Sequence, residues 1–198
     1  MILSGDQKRL LAAARTSGVS DAMEAIGFRR SVIVGFSCTT TGEPVIGVAF
    51  TIRQVPKHSP SRATERLSRH GEVSRVLAKE GDFVILDAAG RTDIAGWGEH
   101  HSDRCQARGV SGVLVNGSIR DSAAIRRLGF PAFHLGTSPI SSKWDQETAE
   151  LNGSVTVAGV HIKAGDVVIG DEDGLVVVAV DQLDSVLEKL SANSGDKP

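Results

Sequence analysis

Arg120 and Asp121 stand side by side between the apolar run Gly112-Val113-Leu114-Val115-Asn116-Gly117-Ser118-Ile119 and a short helical run, Ser122 to Leu128, that Gly129 stops. A guanidinium is planar and permanently charged, so Arg120 can hold a carboxylate or an enolate oxygen through paired hydrogen bonds. Asp121 is a hard oxygen donor suited to Mg2+ or Mn2+, or else a helix N-cap. A second group comes earlier: Gly96-Trp97-Gly98 leads into a helix start at Glu99, His100 and His101. Unbonded N–H groups and the helix dipole at such a start favour an anion. Two strand ends aiming these groups at one place point to a site more strongly than either does alone.

The elements that must position them follow from periodicity and punctuation. Phe83-Val84-Ile85-Leu86-Asp87 reads as a buried strand, 88–98 as a glycine-containing loop, and Glu99 to Arg108 as a helix closed by Gly109. A strand over 112–116, a turn at Gly117, the helix from Ser122 and a strand at Pro131 to Leu135 complete a strand-helix alternation from 83 to 135. That alternation predicts a parallel α/β core with right-handed crossovers. Upstream, an amphipathic helix is expected over 6–15, a short helix from Ser20-Asp21 to Ile26, and a polar irregular stretch before a strand at Gly47 to Val55. Ser59-Pro60 marks a helix start, so 60–80 is expected to be helical, with a break at Gly71. The last third reads as short strands at 154–157, 160–162, 167–169 and 175–180, with a turn at Asp171-Glu172-Asp173-Gly174, a closing helix over 182–190 and a frayed tail over 191–198.

Composition narrows the class. A chain of 198 residues with 40% hydrophobic residues buries a core as one domain. A net charge of −2 gives no general case for nucleic acid or membrane partners. From Arg53 to Arg75 six basic residues (Arg53, Lys57, Arg62, Arg66, Arg69, Arg75) face Glu65 and Glu72, a pattern that reads as a solvated face or as an attractor of anions. The N-terminal residues lack a signal peptide's apolar core. Cys38 and Cys105 form no CxxC and read as small packing residues in a reduced compartment, so a cytoplasmic protein is expected. The histidines make no zinc motif, and there is no GxSxG, no P-loop and no complete dinucleotide fingerprint.

Taken in order, Val19-Ser20-Asp21-Ala22, Gly47 to Arg53, Gly81-Asp82-Phe83-Val84, Trp97-Gly98-Glu99, Arg108 to Gly112, Gly117-Ser118-Ile119-Arg120-Asp121 and Leu128 to Pro131 resemble the RraA-like family. That family includes class II pyruvate aldolases acting on 4-hydroxy-4-methyl-2-oxoglutarate and 4-carboxy-4-hydroxy-2-oxoadipate, and proteins named as regulators of ribonuclease E activity. The aldolases carry an acid, twenty residues, then Arg-Asp. Glu99 and Arg120-Asp121 match this spacing, with Glu for the family's Asp; Asn116 stands where many relatives have Asp, and Lys57 to His70 differs from the family pattern. The resemblance implies an αββα sandwich of the swivelling β/β/α type, assembled as a homotrimer or a homohexamer. It also implies that Asp121 anchors a divalent cation, Mg2+ or Mn2+, mainly through its water shell. Arg120 would then hold the keto oxygen of a small anionic 2-oxo acid, the amides of His100 and His101 would receive its carboxylate beside Gly98, also substrate-binding, and Glu99 would orient the water that shuttles the proton. The implied reaction is retro-aldol release of pyruvate from a 4-hydroxy-2-oxo acid, with oxaloacetate decarboxylation on the side. The implied alternative is a non-catalytic regulator of an RNA-processing enzyme.

Overall fold

The structure, a computed structural model, describes residues 2–195 other than 60, 61, 63 and 66. Helix α1 (Gly5–Ala25) opens on a capping box in which Ser4 and Gln7 satisfy each other's amides. It is interrupted at Arg15 (φ 59°, ψ 179°), where the first expected helix ends, and the second half starts directly after it, before the start expected at Ser20. Asp171 explains the shift: its buried carboxylate accepts from the Thr16 amide (3.1 Å) and hydroxyl (2.7 Å), and this tertiary anchor overrides the local start signal.

The stretch expected to be irregular contains two short strands, β1 (Val32–Ile33) and β2 (Ser37–Cys38). Each exists because a distant strand offers backbone partners. Strand β3 (Val45–Pro56) follows as expected. The long helix expected over 60–80 shrinks to one turn, α2 (His70–Glu72), running into a π turn over Val73–Leu77. Leu67 and Arg69 instead bond to Thr148 of a later strand, which holds this segment out of a helix. Pro60 and Arg66, which figured in that expectation and in the basic stretch, lie outside the described residues. The remaining basic groups are mostly satisfied locally: Arg53 pairs with Glu150, Arg69 with Glu72, and Arg75 donates to the Gly71 carbonyl.

Strand β4 (Asp82–Trp97) continues through what reads in sequence as a loop. Its register against its neighbour slips three times between Asp87 and Trp97, with Ala89 and Gly90 at positive φ, so it bulges away and returns. Helix α3 (Glu99–Ala107) and strand β5 (Gly112–Ile119) come next, then α4 (Ser122–Leu128) and β6 (Ala132–Thr137). Gly117 lies inside β5 rather than in a turn after it. A Cβ there would sit 2.7 Å from the Arg91 carbonyl, so only glycine lets the bulge of β4 close against β5. After a 3-10 turn, strand β7 (Gln146–Leu151) pairs with β3; its polar sequence carries no strand signal, and pairing with β3 makes it a strand. The hairpins β8 (Ser154–Val157) with β9 (Val160–Lys163), and β10 (Val167–Asp171) with β11 (Gly174–Val178), fall where the turn residues place them. Helix α5 (Leu183–Gly195) runs past the expected end at 190, and 196–198 of the expected tail lie outside the described residues.

Nine strands form one sheet in the order β1-β11-β10-β3-β4-β5-β6-β2, with β7 joined to β3; β3-β4-β5-β6 are mutually parallel. Strand alternation sorts the core. Val84 and Leu86 of β4 pack with Val113, Val115, Ile125 and Phe130 on the face carrying α3 and α4. Phe83 and Ile85 point the other way and pack with Val155, Val157 and Ile162 of the β8-β9 hairpin. Helices α1 and α5 cover the β10-β11 end of the sheet through Leu11, Met23, Val186 and Leu190. Burial on both faces explains why these strands read as continuous apolar runs. The layers, hairpin then sheet then helices, are of the β/β/α type that the sequence motifs imply. Among the described residues no helix is long and apolar enough to cross a membrane.

Candidate active site

The site forms where three parallel strands end. Trp97 of β4 pairs with Ile119 of β5, which pairs with Thr137 of β6. The Arg120 amide donates to the Trp97 carbonyl at 2.9 Å, and this bond locks the Arg-Asp pair against Gly98. Trp97 is buried and donates from its indole Nε1 to Ser102 Oγ at 2.9 Å, tying the first turn of α3 to the end of β4. Gly98 is the N-cap of α3. A Cβ there would approach both Arg120 Cγ and Asp121 Oδ2 to 3.0 Å, so the absence of a side chain lets the two halves of the site meet.

Asp121 has an unusual backbone, φ 56° and ψ 31°, in the left-handed region. Its carbonyl accepts the first helical bonds of α4 from Ala124 and Ile125, so it occupies the N-cap position. Its carboxylate makes no capping bond and turns instead toward Arg120, whose Nε is 3.5 Å away. Both side chains are about two-fifths exposed. The capping role that sequence alone allowed is therefore filled by the backbone, and the carboxylate is left for another task. The three groups expected to converge, at Gly98, Arg120 and Asp121, do so.

The helix start is partly engaged. The amides of His101 and Ser102 already donate to the Gly98 carbonyl at 3.1 and 3.2 Å. Of the two amides expected to face an anion, that of His100 has no acceptor among the described residues and that of His101 has one. Glu99 begins α3, is half-buried, and its carboxylate has no hydrogen-bond or ion-pair partner among the described residues. Asn116 donates from Nδ2 to Asp87 Oδ1 at 2.8 Å and so pins the base of the β4 bulge.

Two hollows flank Arg120. One, of about 290 Å3, opens beside Asp121 and Thr137 to Pro139. The other, of about 170 Å3, lies over Trp97 and Gly98 and reaches His70, His101 and Arg104. Its histidine wall is the part of the site that sequence reasoning missed, because His70 and His101 are 31 residues apart and belong to no motif. Their ring centroids are 4.8 Å apart, and His101 lies 5.0 Å from Trp97. Gln54 Nε2 (2.8 Å) and the Ser68 hydroxyl (2.5 Å) reach His70 Nδ1, which places the ring proton on Nε2. Ser74 Oγ shares a 2.8 Å hydrogen bond with His101 Nδ1 and also lies 3.3 Å from the Gly71 carbonyl. Burial lowers the His70 pKa to about 4. Burial, then the charge of His70, Arg104 and Arg120, lowers His101 to about 3. Both rings are neutral at physiological pH. A larger cavity, about 620 Å3, lies at the opposite end of β3 and β4 beside Lys79, Glu80 and Asp82, away from these groups.

The donor set also limits the metal. Among the described residues no three His, Cys, Asp or Glu side chains cluster as ligands. One exposed carboxylate with no protein donor bonded to it suits Mg2+ or Mn2+ that keep most of their water, and not a cation that needs a closed protein cage.

A family profile described as RraA-like, Aldolase/RraA, matches residues 16–177, and the chain belongs to that family. A protein of Halalkalibacterium halodurans, provisionally named a 4-hydroxy-4-methyl-2-oxoglutarate aldolase, is 34% identical over 119 residues, which cover 60% of this chain and 56% of that protein. Protein DlpA of Legionella pneumophila is 26% identical over 88% of this chain but only 28% of its own length. The chain thus spans about half or less of these curated relatives. Among solved structures, Streptomyces coelicolor RraAS2, described as an unusual member of the RNase ES inhibitor RraA family, matches 99% of this chain and 94% of its own, with a TM-score of 0.83 and 25% identity.

Proposed function

We propose that this protein is a divalent-cation-dependent lyase that cleaves a C–C bond of a 4-hydroxy-2-oxo acid and releases pyruvate. The observation that carries the reading is Asp121: its backbone does the capping, while its carboxylate stands uncapped beside a guanidinium and Gly98. Retro-aldol cleavage leaves negative charge on a pyruvate enolate. In this reading Arg120 takes that oxygen, and the helix start at His100 and His101 receives the carboxylate. A bound Mg2+ or Mn2+, anchored at Asp121, would add Lewis-acid stabilisation of the same charge. Glu99, the first residue of α3 and without a partner among the described residues, is the group to order the water that moves the proton. Oxaloacetate decarboxylation passes through the same enolate and is the expected side activity. The aldolase name of the Halalkalibacterium relative supports the reading. Cytoplasmic location and assembly as a homotrimer or homohexamer belong to the same proposal.

The test is pyruvate release from oxaloacetate and from 4-hydroxy-2-oxo acids, with and without Mg2+. Activity is expected to need the cation and to stop with chelator. Arg120→Ala and Asp121→Ala are each expected to lower kcat about 100-fold or more, as loss of a principal charge stabiliser does; wild-type turnover in either would overturn the assignment. The near full-length likeness to RraAS2 favours a second reading, a protein-binding regulator of an RNA-processing enzyme. That reading predicts stable, cation-independent association with a ribonuclease and no pyruvate release.

A further inference from the structure

The two halves of the site are joined through a weak point. Only Gly98 separates the end of β4 at Trp97 from the start of α3 at Glu99. The close approach of Arg120 and Asp121 keeps a side chain out of that position, and a glycine leaves the joint free to bend. Trp97 braces it from both directions. Its carbonyl accepts the Arg120 amide at 2.9 Å, and its indole Nε1 donates to Ser102 Oγ at 2.9 Å across the joint. Ser102 carries the hold back to Gly98, whose carbonyl receives the Ser102 amide at 3.2 Å and hydroxyl at 3.4 Å beside the His101 amide at 3.1 Å. The His101 ring packs 5.0 Å from the indole. Trp97 and Ser102 are both sealed from water, so no solvent molecule can take the place of either partner.

We infer that Trp97 is a positioning residue: its indole N–H, acting through Ser102, fixes the start of α3 relative to Arg120 so that both reach one small anion. The inference rests on the lyase reading for the identity of that anion, the pyruvyl unit. A molecule of this size has its carboxylate and keto oxygen on adjacent carbons and cannot stretch to follow a displaced partner. An error of about 1 Å in such a placement costs up to ~100-fold in rate. A buried indole also fills space, and Trp97 does pack with Val84, Cys105 and Ile119. Packing explains the ring, and a buried indole N–H needs some acceptor. It does not explain why that acceptor belongs to the first turn of α3 while the carbonyl of the same residue holds the Arg120 amide.

Trp97→Phe keeps most of the ring and removes the donor, and Ser102→Ala removes the acceptor. Ser102→Ala is the smaller change and decides the matter where Trp97→Phe does not fold. In folded variants, checked by thermal melts, each substitution is expected to lower kcat/KM for pyruvate release about tenfold or more. Pyruvate binding, read by titration calorimetry with Mg2+ present, is expected to weaken in parallel. The double variant is expected to be no worse than the poorer single one, because both changes break one bond. A bond that serves stability alone would lower the melting temperature and leave turnover and pyruvate binding at wild-type values. That result, or losses that multiply in the double variant, would overturn the inference while leaving the lyase reading intact. Pyruvate binding that weakens in the variants, with no pyruvate release by the wild type, would sink the lyase reading and leave the brace standing. A wild type that neither binds nor releases pyruvate would overturn both.

Discussion

At the scale of the residue, Asp121 combines two roles that mutation can separate. Its backbone holds a left-handed conformation that costs a side chain roughly 1 kcal/mol or more, and its carboxylate faces Arg120. Glycine tolerates that conformation and alanine does not. Asp121→Gly is therefore expected to be more stable than Asp121→Ala by about 1 kcal/mol in denaturant melts. Both variants should lose pyruvate release to the same degree, because both lack the carboxylate. A large activity difference between them would mean that backbone geometry, and not the carboxylate, is what the reaction needs. The chemical types at Arg120, Asp121 and Glu99 were legible in sequence because guanidinium and carboxylate chemistry does not depend on fold. The capping ambiguity at Asp121 was not, since it turns on a single φ.

At the scale of the element, the turn between β10 and β11 does more than reverse the chain. Asp171 accepts from the Thr16 amide and hydroxyl and from the Asp173 amide, while the neighbouring Glu172 carboxylate binds Arg15 and the Gly42 amide. Burial opposes the Asp171 charge, but these hydrogen bonds outweigh it and hold the carboxyl below its ordinary value. A carboxylate with a depressed folded pKa stabilises the protein above its unfolded value, near pH 4, and the contribution fades as pH falls through the folded value. Asp171→Asn is expected to cost about 1–2 kcal/mol at neutral pH. The gap from wild type should close in acid, as measured by urea unfolding at several pH values; a constant gap would assign the effect to packing. In sequence this turn reads only as a polar hairpin, and its grip on the break in α1 requires knowing that residues 15 and 171 meet.

At the scale of the whole molecule, the histidine wall sets the acid limit of the fold. His70 and His101 have folded pKa values of about 4 and about 3, below their unfolded values. Between those values and about pH 6.5 the unfolded chain binds more protons than the folded one, so stability falls as pH falls through that window. Thermal melts are expected to drop from pH 7 to pH 5, and His70→Gln to flatten that dependence. An unchanged slope in the variant would remove His70 from the account. The same wall lines the hollow beside Arg120.

Sequence alone determined the strand-helix alternation from 83 to 135, the turns of the two C-terminal hairpins, and the Gly98, Glu99 and Arg120-Asp121 groups at two strand ends. These are local matters: apolar periodicity, turn residues and side-chain chemistry are written within a few positions. Only the tertiary structure decided the rest. Strand β7 is polar and exists because β3 offers it hydrogen bonds. The 88–98 segment is strand and not loop because Gly117 lets β4 close on β5. Residues 67–69 run along Thr148 instead of coiling into a helix. His70, His101 and Arg104 become one surface only when the π turn packs beside α3. Each depends on groups far apart in the chain supplying a partner or a space, and no local pattern carries that information.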